Sequence, residues 1–152
     1  MTSINEMSKK ILVTNALPYA NNSIHIGHLV GYIQADIWVR YQKMKERDCL
    51  YLCASDSHGT PIMLSAEAIG LEPEALAEQY TKEHSKDFQD FLIEFDNYHS
   101  THTTENETLV GEIFNQLNKS GHIEKKIIEQ SYDKRQEIFL PDRYVKGICP
   151  QC

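Results

Sequence analysis

The chain has 152 residues, 41% hydrophobic and 24% charged, an ordinary globular composition at a length where one domain buries roughly 68 to 70% of its unfolded surface, and it contains no repeat or low-complexity tract. Fifteen basic residues against 22 acidic ones give a net charge of −7, which excludes a protein that grips nucleic acid by general electrostatic attraction. The longest apolar run, Cys49 to Ala54, is far short of the roughly 18 residues a membrane span needs, and no apolar segment follows the first charges, so a cytoplasmic setting with reduced cysteines is expected.

Lys10 to Thr14 is a β-branched run that predicts a strand, and the turn-rich stretch 15–23, with Pro18 and the Asn21-Asn22 pair, predicts a loop. From His25 the period becomes helical. Ile26, Leu29, Val30, Ile33, Ile37, Tyr41 and Met44 fall on one face, with Ser23 or Asn22 available as cap. Trp38 is expected to pack against the core. Cys49 to Cys53 predicts a second strand, its two cysteines small buried residues, followed by a polar loop over 54–61. A short helix over 62–69 should stop at Gly70, and a long one should run from Pro73 to about Phe91. Asp96 to Thr101 predicts a third strand. Thr104 with Glu107 has the pattern of a capping box opening a helix that stops at Gly121. Beyond, short β-rich pieces (Ile127-Ile128, 138–140) alternate with charges, placing a subdomain boundary near 118–122.

Strand, helix, strand, helix predicts an α/β fold with a parallel sheet, and ligands of such sheets bind beyond the carboxyl ends of the strands, here the loops 15–25 and 54–61. The most informative tetrapeptide, His25-Ile26-Gly27-His28, opens a helix there. Imidazoles three residues apart share a side of the first turn, where unpaired amides and the helix dipole attract phosphate, and the same dipole favours neutral rings. Gly27 lets a nucleotide approach the backbone. Cys149-Pro150-Gln151-Cys152 reads as half of a zinc site more readily than as a redox pair, because no helix follows to lower a thiol pKa. A chain ending on half of such a site is expected to be the front part of a longer protein.

Five ordered blocks carry a family resemblance: ALPYANNSIHIGH (16–28), IQADIWVRYQ (33–42), SDSHGTPI (55–62), DNYHSTH (96–102) and FLPDRYVKGICPQC (139–152). In them the chain resembles the class I aminoacyl-tRNA synthetases, specifically their methionyl members. Synthetases for branched aliphatic amino acids have a proline-rich lead into the signature, and small nucleotidylyltransferases lack the later blocks.

The resemblance implies the first half of a Rossmann-like catalytic domain over 1–120 and the start of a zinc-bearing insertion over 121–152. It implies ATP binding by Asn21, His25, Gly27 and His28, with His25 and His28 catalytic. Ala16, Leu17, Tyr19 and Asp56 would bind L-methionine, Asp56 holding its ammonium. Cys149 and Cys152 would supply half of a structural Zn²⁺ site, and Mg²⁺ would accompany ATP. tRNA(Met), including the initiator, would be the second substrate, bound mainly elsewhere in the polypeptide, with a homodimer as one possible assembly. An inactive nucleotide-binding or zinc-knuckle fragment is the alternative. Tyr98, His99 and His102 are candidates for the site floor, and His58-Gly59 for turn chemistry. Met7 to Lys10 imitates the family's lysine loop but precedes the first strand, so no role is assigned to it.

Overall fold

The computed structural model describes residues 10–135, 137–140 and 147. In chain order the elements are β1 (Ile11–Thr14), α1 (Ile26–Met44), β2 (Cys49–Ser55), α2 (Thr60–Ile69), α3 (Pro73–Asp90), β3 (Asn97–Ser100), α4 (Thr104–Lys119), β4 (Tyr132–Asp133) and β5 (Ile138–Phe139). The first three strands form one sheet in the order β1-β2-β3, both pairings parallel, with Ile11 opposite Cys49 and Leu52 opposite Asn97. This is the parallel α/β arrangement that the alternation of elements predicts.

Side chains of a strand alternate between faces, and β2 places Cys49, Tyr51 and Cys53 on the face where both crossovers pack. Leu29, Tyr32 and Val39 of α1 meet them from one side, Phe88 and Ile93 from the other. Phe88, Phe95, Tyr32 and Tyr98 build an aromatic cluster with ring centroids 4.7 to 6.2 Å apart. On the opposite face Leu12 and Leu50 are 63% and 48% exposed. A second, smaller cluster joins Ile62 and Ala66 of α2, Leu76 and Ala77 of α3, and Ala20 of the loop after β1.

The inward face of α1 differs from the apolar face read in the sequence. Leu29, Tyr32, Asp36, Val39 and Gln42 are buried, whereas Ile26, Val30, Ile37, Tyr41 and Met44 are exposed. Trp38 also lies outward, 45% exposed. The reason is that the buried polar groups are paired. Asp36 accepts from Arg40 Nε at 2.6 Å and from the Glu94 N–H at 2.9 Å, and Gln42 Oε1 accepts from Arg47 at 2.6 Å. A buried polar group with its partners in place is tolerated, and the Asp36 carboxylate thereby fixes the turn that leads into β3.

Helix ends follow local chemistry. Gly70 (φ 70) and Gly121 (φ 74) close α2 and α4 in the left-handed region, with Leu71 N–H donating to the Ala66 carbonyl and His122 N–H to that of Leu117, the Schellman pattern. Helix α4 already includes Thr104, so the chain enters it one residue before a cap at Thr104 would have it.

By contacts the chain divides into Met1–Thr103 and Thr104–Cys152, a division that falls ahead of the change of texture near 118–122 by the length of α4. In the second unit β4 and β5 pair antiparallel, with the Tyr132 and Phe139 rings 5.0 Å apart. Ile127 and Ile128 are not a strand; both side chains are exposed, and no described strand pairs with them. Cys149 and Cys152 lie outside the described residues.

Candidate active site

The loops at the carboxyl ends of β1 and β2 carry most of the residues singled out in the sequence. At the start of α1 the cap is His25 itself, not Ser23 or Asn22. Its backbone is extended (φ −126, ψ 172), its Nδ1 accepts from Gly27 N–H at 3.1 Å, and His28 Nδ1 accepts in return from His25 N–H at 3.2 Å. The two rings stack with centroids 3.8 Å apart. This is a capping box built from imidazoles instead of the usual hydroxyl and carboxylate. An Nδ1 that accepts from an amide carries no proton, so each neutral ring bears its proton on Nε2. Partial burial, then the neighbouring charges of His25 and His84, push the His28 pKa below its ordinary 6.5.

Gly27 is required inside this arrangement. A Cβ there would lie 2.9 Å from His25 Cε1 and 3.0 Å from its Nδ1, so the absent side chain makes room for the His25 ring as well as for any ligand.

The loop before α1 is tied to the fold at four places. Tyr51 Oη donates to Asn15 Oδ1 at 2.6 Å, and Tyr32 Oη to the Ala16 carbonyl at 2.5 Å. Tyr19 and Asp56 form an isolated parallel bridge, with Asp56 N–H donating to the Pro18 carbonyl at 2.8 Å and Ala20 N–H to that of Asp56 at 2.9 Å. His84 Nε2 lies 2.7 Å from the Asn22 carbonyl. Asn21 sits half-buried in the turn between the last two ties.

The bridge brings Tyr19 beside Asp56, which forms no ion pair among the described residues. Close by in the chain, Leu17 joins Asn15, Cys53 and Ala54 around a cleft of about 330 Å³. Gly59, with φ 112, is forced both by its backbone and by Tyr19, whose Oη would lie 2.9 Å from an added Cβ. Thus Ala16, Leu17 and Tyr19 follow the carboxyl end of β1 and Asp56 that of β2, with Tyr19 and Asp56 brought together by the bridge.

Of the floor candidates, Tyr98 lies under this region, its Oη 2.7 Å from Ser55 Oγ and its pKa pushed by burial to about 12. His58 is more than a turn residue. Its Nε2 lies 3.1 Å from His102 Nδ1, and both border a separate cleft of about 440 Å³ against Ile62, Met63 and Pro73. The His99 ring accepts from the Ser100 amide at 2.9 Å. Cys49 and Cys53 are buried free thiols, with burial raising Cys53 to about 11. Such a thiol is a poor zinc ligand, and no cluster of three or more His, Cys, Asp or Glu among the described residues is arranged to hold a metal ion.

Asn15, Tyr32, Tyr51 and His84 were not singled out in the sequence. Each acts through a contact between elements distant along the chain, and local pattern carries no signal for that.

Residues 11–152 match the family described as tRNA synthetases class I (M). This chain belongs to that family. It is 56% identical over 144 residues to methionine–tRNA ligases of Francisella tularensis, from subspecies holarctica strain OSU18 and subspecies tularensis strain WY96-3418, covering 95% of this chain and 21% of each relative. The chain therefore spans about a fifth of the length of these curated relatives. Among solved structures it is similar to Mycobacterium tuberculosis methionyl-tRNA synthetase in complex with methionyl-adenylate, with a TM-score of 0.79 and 25% identity, covering 92% of this chain and 28% of that one. A ternary complex of LeuRS with tRNA from Agrobacterium radiobacter K84 shares the fold, at a TM-score of 0.76, 21% identity, and coverage of 90% and 18%.

Proposed function

We propose that this chain supplies the phosphate-facing and ammonium-facing side of a methionine–tRNA ligase active site. The observation that carries the reading is the reciprocal imidazole cap at the start of α1, which leaves two Nε2–H donors on exposed rings at the end of the loop that also carries the Tyr19–Asp56 bridge. In the reaction, the methionine carboxylate attacks the α-phosphorus of ATP and pyrophosphate leaves; a hydroxyl at the 3′ end of tRNA(Met) then attacks the methionyl carbonyl of the adenylate, and AMP leaves. Chemistry of this kind calls for positioning and charge stabilisation rather than a protein nucleophile. His25 and His28 donate to oxygens on which charge develops, and the amides of the first helical turn add their dipoles.

Asp56 accepts the methionine ammonium in a charge-assisted bond. Leu17, Tyr19 and the Ala16 backbone line the side-chain path, where a ring and an apolar wall suit a thioether. Asn21, next to the tie at Asn22, contacts ATP. ATP enters as its Mg²⁺ complex, and the cell compartment is the cytoplasm. Cys149 and Cys152 would contribute to a structural zinc site; none of the steps above runs through it. The remaining polypeptide supplies the tRNA contacts.

Methionine-dependent ATP–pyrophosphate exchange by the full-length polypeptide tests the reading. His28→Ala should lower the turnover number by roughly 100- to 1,000-fold with little change in methionine KM. Asp56→Asn should raise methionine KM while ATP binding holds. Equal losses for both substrates in either variant would make these residues structural.

A further inference from the structure

We propose that His84 is a positioning residue for this site: from within α3 it fixes the backbone that leads into the His25–His28 turn. The inference rests on reading those histidines as phosphate donors. His84 is wholly buried, and its Nε2 stands 2.7 Å from the carbonyl of Asn22, 62 residues away in sequence. A carbonyl only accepts, so the ring carries its proton on Nε2. Nδ1 is then left buried with no partner among the described residues.

A buried nitrogen without a partner is unfavourable, and a leucine of similar volume would avoid it. What the imidazole supplies and leucine cannot is the donor to Asn22. The Asn22 side chain is already turned toward its own loop, accepting from the Ser23 amide at 3.0 Å, so its carbonyl is the group that links the loop to α3. Three residues later His25 begins the reciprocal cap. The same helix also packs Leu76 and Ala77 against Ala20, so α3 holds the loop by an apolar contact and by one directional bond. The bond sets the direction in which the chain enters α1, and a displacement of about 1 Å at a reacting group can cost as much as 100-fold in rate.

The experiment compares His84→Leu, His84→Gln and His84→Asn in the full-length polypeptide by melting temperature and pyrophosphate exchange. Gln places an amide N–H near the reach of Nε2, and Asn near that of Nδ1. We expect His84→Leu to melt no lower than wild type yet to lose roughly 10- to 100-fold in exchange through turnover and ATP KM, with methionine KM unchanged. Gln should recover most of the loss and Asn should not. Exchange within twofold of wild type in His84→Leu, or Gln and Asn behaving alike, overturns the proposal. His28→Ala is measured alongside. If it leaves exchange unchanged, the phosphate reading falls instead. His84 is then judged by amide hydrogen exchange at Gly27, His28 and Leu29, which must accelerate in His84→Leu and not in His84→Gln; unaltered rates overturn the proposal.

Discussion

An imidazole that caps a helix through Nδ1 cannot be protonated there without breaking the cap. His28 is held below the ordinary value of 6.5 by partial burial and then by the charges of His25 and His84. Its folded state therefore binds protons less readily than its unfolded state. The sign follows: stability contributed by the neutral ring is fully present above 6.5 and is lost as pH falls from there through the lowered folded value. Pyrophosphate exchange should stay level down to pH 6.5 and decline only below it, and NMR titration of the His28 ring should give a midpoint under 6.5. A midpoint above 6.5 would show that the cap does not hold in solution. Gly27→Ala is the matching steric probe. Its Cβ would stand 2.9 Å from the His25 ring, so exchange should fall by roughly tenfold or more while the melting temperature moves little. The place of the His-x-Gly-His pattern, on the turn from the loop after β1 into α1, was legible in the sequence. Its role as a cap was hidden, because Ser, Thr, Asp and Asn are the residues a cap is read from.

At the level of elements, the order and type of the strands and helices follow from periodicity, Pro and Gly signals with little ambiguity. The rotation of α1 does not. Apolar residues occur all round that helix, and pattern alone places Asp36 and Gln42 outside. Their burial depends on Arg40, Arg47 and the Glu94 amide, two of them near neighbours and one 58 residues away, and the distant partner decides the outcome. Replacing Asp36 by Ala should destabilise the fold by about 1 to 3 kcal/mol, the cost of leaving the Glu94 N–H without its acceptor, measured by urea unfolding of the full-length polypeptide. Arg40→Lys, which keeps a charge near an exposed rim, should cost less than about 1 kcal/mol. An equal loss in both would place the stabilisation in the ion pair and not in the turn before β3.

Across the whole chain, the parallel sheet and the end of it that carries these loops are written in the alternation of elements, whereas three of the four ties that hold the loop before α1 join positions 36 to 62 residues apart, as in Tyr51 to Asn15 and His84 to Asn22. No window of local sequence contains both partners. The described portion also presents the uncovered sheet face of Leu12 and Leu50 and the outer stripe of α1. With about a fifth of the relatives' length present, the 152-residue chain alone should give no measurable methionine-dependent exchange, since donors are needed all around the developing charge in a water-excluded space. Exchange near that of the full-length polypeptide would mean that the site is complete within these residues.

The four attachments of the loop over 15–22 bear on the thermodynamics of ligand capture. Segments that fold around their ligand give up chain entropy at the moment of binding. Here Asn15, Ala16, Pro18, Ala20 and Asn22 are each already hydrogen-bonded to α1, β2, α3 or the loop after β2, so that ordering is completed during folding. Nucleotide and amino acid would lose their own freedom on arrival while this loop loses almost none. Calorimetry should then show a binding heat capacity explained by the ligand's buried surface alone, with no added contribution from loop ordering.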